Sequence, residues 1–315
     1  MKEVSLTSSD GCKQTLSLYD QNPDSNPLKK DVTIVCFPAM GVASKFYKPF
    51  LEGLFDAGFD VVASELRGNG SSSVRAAWGV DYNYHTLIEH DYQAVVDYAR
   101  STKPDNAIYI LGHSLGGQLG LIYSAINSDK VDGVITVAAG SAYYKSFDPP
   151  KQMLVRLAAP LFRLAANTMG YFPGKKLGFA NREARGMIKD MARQAVTGDY
   201  DSIGTPHNYE GLLSEFSKPV LTVSIPKDKI AQKYTVIHLA SKLLKSKMEY
   251  WEVDSKTVSL SGNRVVPIDH FNWVRDPGVV TKKITDWIQV SQEESMSSKK
   301  RVVGRKSEAP SDMVA

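Results

Sequence analysis

The apolar run Ala107-Ile108-Tyr109-Ile110-Leu111 passes directly into Gly112-His113-Ser114-Leu115-Gly116, and a helical pattern from Leu115 to Ile126 follows without a linker. A buried strand, a turn this tight and a helix can be joined so closely only where flanking glycines let the backbone double back. The G-x-S-x-G match alone has on the order of a 0.1 probability of arising by chance in such a chain. Its setting between strand and helix makes it a constraint: the strand lies inside a sheet, the helix packs back on it, and Ser114 stands above the sheet edge. Gly117 and Gly120 allow that helix to pack closely.

The rest of the chain extends the same architecture. Short β-branched runs at Val32 to Phe37, Asp60 to Ser64, Ala107 to Leu111, Val134 to Ala138, Val220 to Ile225 and Met248 to Val253 read as buried strands, and Thr15 to Tyr19 as an earlier antiparallel one. Helical patterns fall between them at about Lys45 to Ala57, His85 to Arg100, Leu115 to Ile126, Lys233 to Leu244 and Gly278 to Val290. This alternation predicts an α/β fold with a mostly parallel central sheet and helices on both faces.

The interval from Val134–Ala138 to Val220–Ile225 is too long for one crossover. Residues 145–218 therefore read as an inserted helical cap between a first core segment, 1–144, and a second, 219–290. Lys145 to Arg193 holds 10 Lys+Arg against 3 Asp+Glu, a local excess of +7 where the whole chain carries only +4. Met153, Leu154, Leu157, Leu161, Phe162 and Leu164 recur at helical spacing; core packing is the first expectation for such a stripe and an acyl pocket lined by Met153, Leu157 and Leu161 the second. Pro160 is expected to bend or divide that helix. From residue 291 to 315 the chain is Ser-rich, with Lys299, Lys300, Arg301, Arg305 and Lys306 clustered and no apolar period, which reads as a disordered tail.

With 43% hydrophobic and 23% charged residues, the composition excludes a disordered chain and gives no reason to expect a nucleic-acid partner. Cys12 and Cys36 are too few for a disulfide framework and lack metal-ligand spacing. No signal-peptide core and no membrane-spanning run is seen, so the cytoplasm is the expected compartment.

A serine hydroxyl at its ordinary pKa is a weak nucleophile and needs a histidine held by an acid. A strand–turn–helix of this kind takes its partners in the order serine, acid, histidine. His207, His238 and His270 follow Ser114; the first falls in the cap and the second within a helix, whereas His270 lies in a loop between the last strand and the closing helix. Asp228 directly follows a buried strand and is the first choice for the acid, with Asp254 and Asp269 as competitors. The oxyanion needs two donors. Leu115 N–H supplies one, and the loop Pro38-Ala39-Met40-Gly41 the other, Met40 before Ala39 because Pro38 has no N–H.

These residues, together with Glu65-Leu66-Arg67-Gly68-Asn69-Gly70-Ser71, Pro226-Lys227-Asp228 and Asp269-His270-Phe271, resemble the α/β-hydrolase family over nearly all of Val32 to Val290. Phe46-Tyr47, Trp78-Gly79, Tyr171-Phe172-Pro173-Gly174 and Ala184-Arg185-Gly186 look like a bacterial group related to serine aminopeptidases and monoacylglycerol lipases. The oxyanion loop departs from the family, which usually has His-Gly where this chain has Pro38-Ala39. The resemblance implies a serine hydrolase acting on a carboxylic ester or thioester through an acyl-enzyme on Ser114, with neither metal nor organic cofactor. The same residues would serve an acyltransferase or an aminopeptidase, and a binding protein on this scaffold is the remaining alternative. A small acyl ester is the expected partner, with weak contact of the basic cap to a membrane surface as an addition.

Overall fold

A computed structural model describes residues 1–22, 26–201, 205–261 and 264–307. In chain order, β1 (Lys2–Thr7) and β2 (Lys13–Tyr19) precede β3 (Val32–Phe37), a 3₁₀ turn at Ser44–Tyr47, α1 (Lys48–Asp56) and β4 (Asp60–Ala63). A helical region then passes from α2 (Tyr84–Thr86) through one π-helical turn, Leu87–Tyr92, into α3 (Gln93–Thr102). Next come β5 (Ala107–His113), α4 (Leu115–Ile126) and β6 (Gly133–Val137).

Between β6 and the next sheet strand lie α5 (Pro149–Met169), the hairpin of β7 (Tyr171–Pro173) and β8 (Arg182–Ala184) enclosing α6 (Gly174–Leu177), then α7 (Arg185–Thr197) and α8 (Tyr209–Glu215). The chain ends with β9 (Val220–Ser224), α9 (Lys233–Ala240), β10 (Met248–Glu252), the hairpin β11 (Val258–Ser261) and β12 (Arg264–Pro267), and α10 (Gly278–Ser307).

Eight strands form one sheet in the order β1-β2-β4-β3-β5-β6-β9-β10. β1, β2 and β4 pair antiparallel, and every pair from β4 to β10 is parallel. Every residue of β3, β4, β6 and β9 is buried, as a sheet covered on both faces requires. α3, α4 and α8 supply one covering layer, with Val96, Leu119 and Leu213 in its core. α1 and α10 supply the other, with Phe50, Leu54, Ile284 and Trp287. The α/β fold with a mostly parallel sheet, expected from periodicity, is the observed one. Both cysteines are buried as free thiols, Cys36 on β3 and Cys12 just before β2.

Three expectations need correction. Of the bend or division expected at Pro160, the division does not occur, since α5 is continuous from Pro149 to Met169; a proline costs the bond its own N–H would make to the carbonyl of Arg156, and on an exposed helix water can take that carbonyl. Met153, Leu157 and Leu161 do not pack in the core: they are 57%, 58% and 63% exposed. The packing face of α5 is Val155, Ala159, Phe162 and Ala166, and Ala159 meets Ala192 and Ala195 of α7. Small side chains on both helices let them approach closely and leave the larger stripe facing outward. The segment from residue 291, expected to be disordered, continues α10 as helix to Ser307. Glu293, Glu294, Met296, Lys299, Lys300 and Arg301 are good helix formers, so the apolar period ends before the helix does. Residues 308–315 of that expected tail lie outside the described residues. Among the described residues no helix is long and apolar enough to cross a membrane.

Candidate active site

Ser114 sits between β5 and α4 at φ 54° and ψ −122°, in the left-handed half of conformational space that a non-glycine residue rarely enters. Its own N–H is tied to Val137 O on the adjacent strand at 3.0 Å. The turn closes because Gly116 has no side chain: a Cβ there would stand 2.4 Å from Pro38 O. Beneath the turn, the Tyr92 hydroxyl donates to Gly116 O at 2.8 Å, and its ring stacks on Phe37 with centroids 3.7 Å apart. Tyr92 closes the π-helical turn, so that irregular turn sets the support under the serine.

Of the three candidate acids, Asp228 alone reaches a candidate base. β9 ends, Lys227 takes a positive φ of 59°, and Asp228 Oδ2 accepts a hydrogen bond from His270 Nδ1 at 2.7 Å. Its Oδ1 accepts from the N–H groups of Ile230 and Ala231 at 2.7 and 3.0 Å, so the carboxylate is fixed by the loop it belongs to. Asp269 instead caps its own turn, accepting from Phe271 and Asn272 N–H, and Asp254 does the same for Lys256 N–H. His270 and Asp228 are buried, and Ser114 is half-buried. His207 lies 3.2 Å from Glu89, and His238 packs on Tyr143, so neither joins the group. Among the described residues no hydrogen bond links Ser114 Oγ to His270; the imidazole reaches the elbow through His113, whose ring centre is 4.8 Å from its own. Such catalytic bonds often form only around substrate.

Residues 32–256 match the family model of the α/β-hydrolase fold, more than half of the chain. The chain belongs to the α/β-hydrolase family. No curated protein matches it in sequence. Among solved structures, the α/β-hydrolase resembles the esterase Est1E from Butyrivibrio proteoclasticus with ferulic acid bound, at 16% identity and a TM-score of 0.61, over 92% of this chain and 99% of that one. A thermophilic esterase from Thermogutta terrifontis matches at 17% identity and TM-score 0.54, over 92% and 99% of the two chains. Alpha/beta hydrolase domain-containing protein 10 from mouse matches at 15% and 0.60, with the same coverage. At these identities the likeness is one of fold.

The loop Pro38-Ala39-Met40-Gly41 of this α/β-hydrolase is held by Tyr47, to which the sequence motifs assign no role. Ala39 N–H donates to the Tyr47 hydroxyl at 2.9 Å, which leaves the Tyr47 proton for His113 Nδ1 at 2.7 Å. Ala39 is therefore engaged, whereas Met40 N–H has no partner among the described residues and Leu115, the first residue of α4, has none within its helix. Burial drives the His113 pKa well below the ordinary value, and the adjacent His270 adds to that, so His113 stays neutral. Tyr47→Phe is expected to leave two buried groups, Ala39 N–H and His113 Nδ1, without their partner. The expected loss is about 1–3 kcal/mol of stability per group in thermal unfolding, with a fall in kcat and little change in KM because Ala39 adjoins Met40.

The acidic-Arg-Gly turn proves to be scaffolding. Glu65 accepts from Ser44 N–H and Oγ, both at 2.9 Å, and Arg67 forks onto Asp91 at 2.9 and 2.7 Å while also pairing with Asp10. The segment between β7 and β8 meets the Pro38–Gly41 loop directly: Gly41 has φ +74°, and a Cβ on it would come 2.8 Å from Asn181 N. Behind that contact Glu183 is 1% exposed, and desolvation raises its pKa to about 7. The unfolded chain loses this proton near 4.5, so raising the pH from 4.5 to 7 favours unfolding, by about 3 kcal/mol at completion. Glu183→Gln cannot ionise; thermal melts should show a stability advantage over wild type that is small at pH 5 and largest at pH 8.

Proposed function

We propose that this α/β-hydrolase is a serine hydrolase that cleaves a carboxylic ester or thioester through an acyl-enzyme on Ser114. The observation that carries this reading is the 2.7 Å His270–Asp228 hydrogen bond, with the His270 ring 4.8 Å from that of His113, the residue before a serine held at positive φ on the elbow. Ser114 Oγ attacks the acyl carbon while His270 Nε2 takes its proton. Asp228 holds Nδ1–H, so the imidazole presents the correct nitrogen and its protonated form is stabilised. The N–H groups of Leu115 and Met40 hold the carbonyl oxygen as it becomes negative. His270 returns the proton to the leaving alcohol or thiol; a water then attacks the acyl-enzyme with the same histidine as base, and Ser114 is restored.

The esterases among the structural neighbours, one of them carrying ferulic acid, support an ester as substrate. The cap offers an apolar outer face at Met153, Leu157 and Leu161 with Arg156 and Lys151 beside it, which suits an amphiphilic acyl compound with an anionic portion. The aminopeptidase reading loses its anchor for a substrate ammonium: Glu210 is paired with Lys242, Glu215 with Lys245, and Glu183 is buried.

The test is hydrolysis of an ester and thioester panel of increasing acyl length, with released acid and transfer products measured together. Turnover to free acid is expected. A protein that takes up a fluorophosphonate yet releases no acid from any member would exclude the hydrolase reading, and transfer to added alcohol in place of hydrolysis would make it an acyltransferase.

A further inference from the structure

A cleft of about 440 Å³ opens at the seam between cap and core, lined by none of the residues assigned to acyl transfer. Its core wall is the loop Asp81-Tyr82-Asn83 with Thr86; its cap wall carries Arg163 of α5 with Gly186, Lys189, Asp190 and Arg193 of α7. Lys189 and Arg193 are four residues apart and so lie on one face of α7, where like charges repel, and Arg163 adds a third positive charge from the neighbouring helix. Two carboxylates share the cleft, but Asp81 is already held by Arg185 and by the N–H groups of Tyr82 and Gly186. Asp190 accepts from Tyr84 N–H at 3.0 Å. Within this arrangement Arg193 Nη1 is buried and has no hydrogen-bond partner among the described residues, a costly position for a charged donor.

We infer that this cleft is a binding site for a phosphate-bearing ligand, with Arg193 and Lys189 as its principal contacts and Arg163 closing over it. Two guanidinium forks match the paired oxygens of a phosphate, and its negative charge would relieve the repulsion between Lys189 and Arg193 while giving Arg193 Nη1 an acceptor. The volume lies within the range of small-molecule sites and exceeds what one inorganic phosphate fills, so the group is expected to arrive on a larger molecule. Because the walls come from cap and core, occupancy would tie the two together. The inference does not depend on the hydrolase reading.

The test is titration calorimetry and thermal melting of the full chain with inorganic phosphate, glycerol 3-phosphate and coenzyme A, against sodium chloride at equal ionic strength. Phosphate compounds should raise the melting temperature where chloride does not, with the organic phosphates binding at least tenfold more tightly than inorganic phosphate. A tighter response to glycerol phosphate assigns the ligand to headgroup-like phosphates and a tighter response to coenzyme A to thioester carriers. The variant Lys189→Gln/Arg193→Gln should weaken binding at least tenfold, while Ser114→Ala leaves it unchanged. Wild-type melting that is indifferent to phosphate at matched ionic strength would overturn the assignment, whether or not the double variant folds. So would undiminished binding by a folded double variant, or binding of phosphatidic acid vesicles alone with no response to soluble phosphates.

Discussion

Ser114→Ala should lose roughly 10⁶-fold in kcat on every ester the wild-type protein turns over, and should take up no fluorophosphonate. The size follows from the mechanism: without the hydroxyl no acyl-enzyme forms, and what remains is whatever the two oxyanion donors and substrate positioning provide. The substitution replaces a half-buried hydroxyl whose Oγ makes no described hydrogen bond, and alanine can occupy the same turn, so the melting temperature should change little. Intact-mass measurement after probe treatment, beside wild type, checks it. Labelling of the alanine protein equal to that of wild type would place the nucleophile elsewhere.

Asp228→Asn is expected to reduce kcat by about 10⁴-fold with the fold retained. An asparagine can keep its carbonyl oxygen on the N–H groups of Ile230 and Ala231, donors that cannot pair with an NH₂, so its NH₂ must face His270 Nδ1. That donor forces Nδ1 to become an acceptor and moves the imidazole proton to Nε2, the nitrogen that has to take the serine proton. The histidine is thus present and in place but in the wrong tautomer. Stopped-flow labelling should show the asparagine protein reacting far more slowly than wild type yet at Ser114. Near-wild-type rates would remove Asp228 from the mechanism and return attention to Asp254.

Much of this was legible because parallel strands buried on both faces read as continuous apolar runs: Val32 to Phe37 and Val220 to Ile225 stand out without context. β1 did not, since Glu3, Ser5 and Thr7 form the polar side of an edge strand and Lys2 interrupts its apolar side, and the three-residue strands β7 and β8 are too short to show a period. The π-helical turn at Leu87–Tyr92 differs from α-helix by a single residue in its bonding and leaves no mark in the apolar pattern. For the site, chain order singled out Asp228 and His270 although they are 42 residues apart. The same reasoning could not find Tyr47, which meets His113 across 66 residues of sequence and belongs to no ordered motif. Nor could it tell that α5 would pack through Ala159 and Ala166, because small residues give a weak apolar signal while forming the closest interface.

The burial of both thiols bears on how the molecule meets reactive chemicals. Cys36 is enclosed in β3, and desolvation pushes its pKa far above the ordinary thiol range, so it carries almost no thiolate at neutral pH. Cys12 is likewise enclosed. Maleimides, mild oxidants and acrylamide warheads should therefore spare the folded chain, whereas carbamates, β-lactones and phosphonates should react at Ser114 if it is the proposed nucleophile. Selectivity between those two reagent classes is built into the scaffold, and a covalent ligand against it would be chosen for hydroxyl chemistry.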